Sequence, residues 1–445
     1  MRRVFGIETE YGLTGRRGGL RLGSSDAATV LFRPLVEEYR ASNVFLDNGG
    51  RLYLDVGAHP EYATPECLTP LDAVVASRAG DRLVSGLAAR ASALARDEGV
   101  ELGLRLFKNN TDAHGNSYGS HENYLISRDL DPELVADLLA SFLVTRQVLC
   151  GSGRLVRGSF LISQRADHLH ASYAATTTRA RPLVNSRDEP LADPARFRRL
   201  HVLAGDSNLS EPSAWLRLAS TELVLRLIEE GRTDALARLR LAEPMDALPV
   251  VARLVDAVLT LADGSTIGAL DLQHEFAALV EPLPEEEPVR DAWLRVVDAL
   301  GAGDPDAVAD TVEWAAKRRL LAEFRERHGL AATDPRLAAL DLAFHELGES
   351  SVFSRLERAG VVARLSTDDE VASAVAEPPA GTRAAVRGRL IAAARRGGAD
   401  YSVDWTRLTV HPGDGTGTGE RALLLADPLG ADAGLADEFI ASLGW

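Results

Sequence analysis

Apolar and polar positions alternate cleanly along two short stretches near the start of the chain. In residues 51–56, Leu52, Leu54 and Val56 share one face while Arg51, Tyr53 and Asp55 share the other, the period-2 pattern of a half-buried strand. Residues 3–11 repeat it, with Glu8 and Glu10 on one face and Ile7, Thr9 and Tyr11 on the other. Strands are also expected over residues 102–109 and 124–128. Helical periodicity fills the spaces between: residues 25–39 with Ser25 as N-cap, a long helix from Thr69-Pro70-Leu71-Asp72 to about Asp97, and one opened by Asp131-Pro132 that runs through Gln147. Strands mixed with long helices, without regular βαβ spacing, predict an α+β fold.

Further along, residues 213–330 read as mostly helical, with helices over 213–230, 248–262, 288–302 and 306–328. Pro282, Pro284 and the run Glu285-Glu286-Glu287 mark an exposed connection. Glu377-Pro378-Pro379-Ala380-Gly381 is the best linker. It divides the chain into residues 1–376 and a small C-terminal unit, 377–445, holding an arginine-rich helix (382–396) and strands at 402–410 and 421–425. The glycine and threonine run between those strands, 411–419, lacks the GK[ST] ending of a P-loop and reads as a hairpin loop. No repeat of 20–50 residues is visible.

Composition narrows the function classes. The 445 residues, 46% hydrophobic and 26% charged, are those of a globular chain of two or three domains. A formal net charge of −16 gives no general electrostatic reason to bind nucleic acid or an anionic membrane. No run of about 18 apolar residues exists to span a bilayer, and the opening MRRVFGIETEYG has no apolar signal-peptide region. Two cysteines, Cys67 and Cys150, make neither a disulfide framework nor a zinc site, so a cytoplasmic setting is expected. Lysine occurs at positions 108 and 317 only, so 47 of the 49 basic residues are arginine, a skew that a GC-rich genome would produce.

Several polar groupings are candidates for chemistry. Paired glutamates on one strand face, Glu8 and Glu10, repel unless a cation holds them, and Mg²⁺ takes such oxygen ligands beside phosphates; a solvated strand face is the plain alternative. Arg51 and Asp55 offer a phosphate-binding fork and a base or nucleophile. Glu61 follows in the rigid HPEYATPE. The dense stretch Lys108 to Tyr124 holds Asn109 and Ser117 for phosphate or substrate, and His121 and Glu122 for metal. Arg196, Arg198, Arg199 and His201 could form a phosphate clamp or an acidic-peptide site. Gln164-Arg165 and Asn185-Arg187-Asp188-Glu189 add polar clusters. His168, His170 and both cysteines read as structural.

These segments together resemble one family. GIETEYG, NGGRLYLDVGAHPEYATPE, LFKNNTDAHGNSYGSHENYLI, LVTRQVLCGSG, LISQRADH, VNSRDEPLAD, FRRLHVLAGDSNLSE and VDW are similar to the Pup–protein ligase family over residues 3 to about 410. Depupylases, which hydrolyse the same bond, share many of these motifs and are the alternative. The short spacing between GIETEYG and NGGRLYLD and the sequence LDVGAHPEYAT are ligase-like, whereas Ser120 and Gly151-Ser152-Gly153 are closer to the depupylase.

The resemblance implies a glutamine-synthetase-like fold: a curved, mostly antiparallel sheet flanked by helices, with residues 377–445 a small α/β domain completing the nucleotide site. It implies ATP and Mg²⁺ as cofactors, the prokaryotic ubiquitin-like protein Pup and lysine-bearing target proteins as partners, and neither nucleic acid nor membrane. The expected reaction phosphorylates the γ-carboxylate of the C-terminal glutamate of Pup and passes the acyl group to a lysine amine. By motif match, Glu8, Tyr53 and Glu61 would be metal ligands, with Glu10 and His121 added from their positions. Arg51, Thr64 and Trp405 would contact ATP, and Asp55 would be the catalytic base.

Overall fold

The computed structural model describes residues 2–55, 57–112, 115–174, 181–185, 191–411 and 419–444. Its central strand, Phe5–Glu10, turns Phe5 and Ile7 into the core, 3% and 2% exposed, and Glu8 and Glu10 to the opposite face. It pairs antiparallel with Pro60–Ala63 on one side and Ser120–Ser127 on the other. From these the sheet grows outward to eight strands among the described residues. Arg51–Leu54 and Val44–Phe45 extend one flank; Phe197–Val202, Pro182–Asn185 and Ala171–Ala174 extend the other. Every neighbour is antiparallel except Ala171–Ala174 against Pro182–Asn185. The expected α+β fold with a mostly antiparallel sheet is what the chain forms.

Helices cover the apolar face. Pro70–Asp97 starts where expected: Pro70 occupies the first turn and the Thr69 side chain accepts from the Asp72 amide at 3.0 Å. It crosses the strand Pro60–Ala63 at Gly80, where a Cβ would stand 2.2 Å from the Tyr62 ring, so only glycine permits that approach. Pro132–Cys150 and Glu211–Glu229 lie against the sheet and each other, and Phe142, Leu139, Val144, Leu223 and Trp293 join the main core there.

Some expected elements differ. The helix expected over 248–262 is Pro244–Arg253, followed by a hairpin of Val258–Thr260 and Thr266–Gly268; Asp263 and Gly264 make its turn. The helix expected over 306–328 is a short 3₁₀ turn, Pro305–Val308, and a separate helix, Glu313–His328. Gly23, not Ser25, occupies the N-cap position of Ser24–Tyr39. The strand expected over 402–410 is two strands, Asp400–Val403 and Arg407–His411, paired antiparallel and joined by Arg421–Leu424. The loop between His411 and Gly419 lies outside the described residues, as do Arg187, Asp188 and Glu189.

The C-terminal segment is docked through buried charge. Glu66 accepts from Arg383 at 2.6 Å and from Arg387 at 2.5 Å, and all three side chains are at least nine-tenths buried. Burial alone would raise the Glu66 carboxyl, but Arg387 and Arg383 outweigh it and hold it at about 2. Arg387 also reaches the Gly49 carbonyl at 2.7 Å, and Phe45 packs into the C-terminal core beside Leu390, Ile391 and Leu408. Because the folded value lies below the ordinary value of 4.5, this pair stabilises above that pH and loses its contribution as pH falls towards 2. Arg387→Met should cost about 3 kcal/mol in urea unfolding at neutral pH, since it strips a partner from a buried charge. The deficit should shrink below pH 4; an equal loss at all pH values would contradict this assignment.

Candidate active site

The site is assembled by cross-strand register. Glu10 stands opposite Glu61, Glu61 opposite Tyr53, and Glu8 opposite both Ala63 and His121. One row further out, His201 stands opposite Asn123. Period-2 alternation therefore delivers carboxylates from two strands and imidazoles from two others to one face. Asp55 joins from the turn that follows Arg51–Leu54. There Gly57 (φ 100°) and Ala58 (φ 63°) reverse the chain and the Asp55 amide donates to the His59 carbonyl at 3.0 Å.

Two groups of ligand-bearing side chains result. Glu8, His121 and His201 form one, and Glu10, Asp55 and Glu61 form the other; within each, the donor atoms lie within 4.8 Å of one another. In the first, the His121 Nδ1 lies 3.2 Å and the His201 Nε2 3.3 Å from the Glu8 carboxylate. Asn123 donates to the other Glu8 oxygen at 3.1 Å and Arg199 lies 3.6 Å from it. Burial would raise the Glu8 carboxyl, but His201, His121 and Arg199 prevail and hold it well below the usual range. Burial pushes His201 down, against the opposing pull of Glu8.

The second group is under opposite stress. Burial, Glu8, Glu10 and Asp55 together push the Glu61 carboxyl well above its ordinary value, against a hydrogen bond from Tyr53. Three carboxylates crowded in this way fit a hard, oxygen-seeking cation such as Mg²⁺. Tyr53 is held protonated by burial and by Glu8 and Glu61, and bonds Glu61 rather than standing free.

Cavities open on either side of this row. One is lined by Glu8, Thr64, Arg199, Arg383 and Trp405, so the C-terminal segment supplies one wall. Thr64 is set there by two bonds to Ile7: its amide donates to the Ile7 carbonyl at 2.9 Å, and its Oγ1 accepts from the Ile7 amide at 3.0 Å. Trp405 is wedged between Phe45, 4.9 Å away edge-on, and the Arg387 guanidinium, 5.0 Å from its ring. Arg51 lies outside the lining, stacked 4.4 Å over Tyr53 and bonded to Asn43 at 2.8 Å. The other cavity is lined by Glu10, Asp55, His59, Tyr118, His121 and Arg165.

Some candidates do not face the site. Glu122 follows His121 by one residue, so it points to the opposite sheet face, where Arg146 clamps it at 2.7 and 2.8 Å; it is structural. Asn109 is buried and bonded to the Tyr118 hydroxyl and the Thr111 carbonyl. The arginine cluster splits by the same alternation: Arg199 and His201 face the site, while Arg196 pairs with Asp427 at the surface. His201 as a partner of Glu8 is the residue sequence reasoning missed. The alternation of Arg199 and His201 was the available signal.

Carboxylates from two strands thus line one face of an antiparallel sheet beside a cleft. The comparisons make this specific. The family model described as Pup-ligase protein matches residues 3–409, and the chain belongs to that family. The chain is 42% identical to the Pup–protein ligase of Sanguibacter keddieii, covering 99% of both chains. It is equally similar, at 42%, to that of Xylanimonas cellulosilytica, covering 99% of this chain and 100% of the relative. Its fold matches the ligase PafA solved in complex with Pup, with TM-score 0.91 and 36% identity, covering 100% of this chain and 92% of that one. PafA solved with ADP matches with TM-score 0.84 and 36% identity, over 95% and 94% of the two chains. No helix among the described residues is long and apolar enough to cross a membrane.

The crowded carboxylates yield a test that needs no turnover. Mg²⁺ at about 100 times its dissociation constant should stabilise the protein by roughly 2.7 kcal/mol. Glu61→Gln removes a repelling charge, so the metal-free variant should melt no lower than the parent while most of the Mg²⁺-induced rise disappears. A variant that keeps the full rise would remove Glu61 from the metal set.

Proposed function

We propose that the chain joins the γ-carboxylate of the C-terminal glutamate of Pup to lysine amines of target proteins, through a γ-glutamyl phosphate. The carrying observation is that two cavities, one walled by Thr64 and Trp405 and one by Asp55, are lined by Glu8 and Glu10, two residues apart on one strand. Nucleotide and acceptor thus approach one reacting carboxylate from different sides. The ADP-bound PafA neighbour supports ATP as the nucleotide, and the Pup-bound neighbour supports Pup as the partner.

A carboxylate oxygen is a poor leaving group, so it first takes the γ-phosphoryl group of ATP and ADP departs. The amine nitrogen then attacks the carbonyl carbon of the γ-carboxyl group, the carbon–oxygen bond to phosphate breaks, and phosphate leaves with its electron pair. Glu8, Glu10, Glu61 and His121 would hold Mg²⁺, with His201 beside them and Tyr53 touching the set through Glu61. Bound there, the ion would neutralise charge on the transferred phosphoryl group. In this reading Thr64 and Trp405 seat the nucleotide, and Arg51 would reach its phosphates only by leaving Tyr53 and Asn43. Residues 1–376 carry the chemistry and 377–445 close over the nucleotide. Free buried cysteines at 67 and 150 suit a reducing, cytoplasmic setting.

Asp55 is the proposed catalytic base. Free lysine, with a pKa near ~10.4, is almost wholly protonated at neutral pH, and the amine must lose a proton to attack. Asp55→Asn should retain nucleotide and Pup binding while conjugation falls about 10²–10⁴-fold, with the loss shrinking as pH rises. Loss of nucleotide binding in that variant would move Asp55 to the metal set, and normal conjugation would place the base elsewhere.

The C-terminal wall gives a separate expectation. Trp405→Ala removes one face of the nucleotide cavity and should weaken ATP binding by about 10-fold, on the order of 1.4 kcal/mol, read by calorimetry. Unchanged affinity would remove Trp405 from the nucleotide site.

A further inference from the structure

We propose that the fold exempts this chain from its own reaction by burying every lysine amine it has. The proposal rests on the ligase reading above, because only an enzyme that acylates lysine exposes its own lysines to the product-forming step.

The chain has two lysines. Lys108 lies on the segment that leads into the site, yet it is 4% exposed and is not among the residues lining the acceptor cavity. Its Nζ turns to the helix Pro70–Asp97, where it pairs with Asp81 at 2.9 Å and donates to the Ser77 hydroxyl at 3.2 Å. The Tyr11 hydroxyl donates to the other Asp81 oxygen at 2.7 Å and fixes that carboxylate. Lys317 is 1% exposed. Its Nζ pairs with Asp341 at 2.5 Å, donates to the Gly153 carbonyl at 2.8 Å and lies 2.7 Å from the His345 Nε2. His345 ties the two together: its backbone carbonyl accepts from the Lys108 amide at 2.8 Å, and its Nδ1 lies 3.0 Å from the Lys108 carbonyl.

Two conditions for attack on an acyl phosphate therefore fail. The amine must offer a lone pair, and an ammonium whose protons are donated to a carboxylate and its neighbours has none to offer. The amine must also reach the phosphorylated terminus of another polypeptide, and neither Nζ can do so without local unfolding. Arginine does not substitute: its guanidinium stays protonated and delocalised. The other 47 basic residues of the chain are arginines, which keep charge and ion pairing without nucleophilicity. Arg96, Arg238 and Arg325 are exposed examples.

The test has two arms. In the first, the folded full-length chain is treated with an N-hydroxysuccinimide acetate, an acylating probe that does not depend on the enzyme's activity, and digested for mass spectrometry. Lys108 and Lys317 should react at least about 10³-fold more slowly than in denaturant, in keeping with the small unfolded fraction of a stable protein. Comparable rates in the two conditions would overturn the proposal. In the second arm the chain is incubated with ATP, Mg²⁺, glutamate-ended Pup and a lysine-bearing acceptor protein. The acceptor should be conjugated and the ligase should not, whereas Arg96→Lys, Arg238→Lys and Arg325→Lys combined should create conjugates at the new lysines. Conjugation of Lys108 or Lys317 in the folded parent would overturn the proposal. So would an unmodified triple variant beside a modified acceptor, because reach and not burial would then be the protection. An acceptor left unmodified by the parent would instead overturn the ligase reading.

Discussion

Mutual repulsion among Glu8, Glu10, Glu61 and Asp55 is the constraint that the rest of the molecule answers to. Like charges this close raise one another's proton affinity, as the upward displacement of Glu61 shows, and a fold tolerates them only where something holds them rigidly. Rigidity here comes from the sheet. Hydrogen-bonded register across Arg51–Leu54, Pro60–Ala63, Phe5–Glu10 and Ser120–Ser127 fixes where each side chain leaves the backbone. The opposite faces of those strands bury Phe5, Ile7 and Tyr124 in a large apolar core. Slipping any strand by one residue would bury the carboxylates and expose that core. The cost of the core thus enforces the geometry of the site.

Sign of charge then sorts the site into halves. Glu8 is surrounded by Asn123, Arg199 and two imidazoles, which hold its carboxyl low, whereas Glu10, Asp55 and Glu61 crowd one another. The first half borders the cleft of Thr64 and Trp405, and the second borders the cavity of Tyr118 and Arg165. This asymmetry suits a reaction in which polyphosphate arrives on one side and a nucleophile that must lose a proton arrives on the other.

Closure of the cleft of Thr64 and Trp405 depends on a second buried charge. Glu66 lies just past the strand that carries Glu61, and both of its oxygens are taken by arginines from the far end of the chain. A buried ion pair is poor evidence of net stability but good at specifying a partner, since each member is costly without the other. Holding Arg383 and Arg387 there places Trp405 over the cleft and keeps Phe45 against its ring. The same preference for satisfied buried charge governs both lysines.

How much was legible in the sequence depends on the range of the interactions involved. Alternation within one strand is local, so residues 3–11 and 51–56 announced their polar faces, and Thr69-Pro70 announced its helix by cap chemistry that spans three residues. The long family motifs carried the family itself. Pairings between distant segments were not legible: that His201 would reach Glu8, or that Glu122 would turn from His121 to Arg146, follows from register set by the whole sheet. Helices near residues 262 and 310 were overextended because apolar periodicity continues through the hairpin and the 3₁₀ turn. The sequence alone determined which side chains share a face, because backbone geometry within a strand is fixed by steric rules over neighbouring residues. Only the tertiary structure decided which faces meet, because that choice is made by burial of apolar area and compensation of charge between segments hundreds of residues apart.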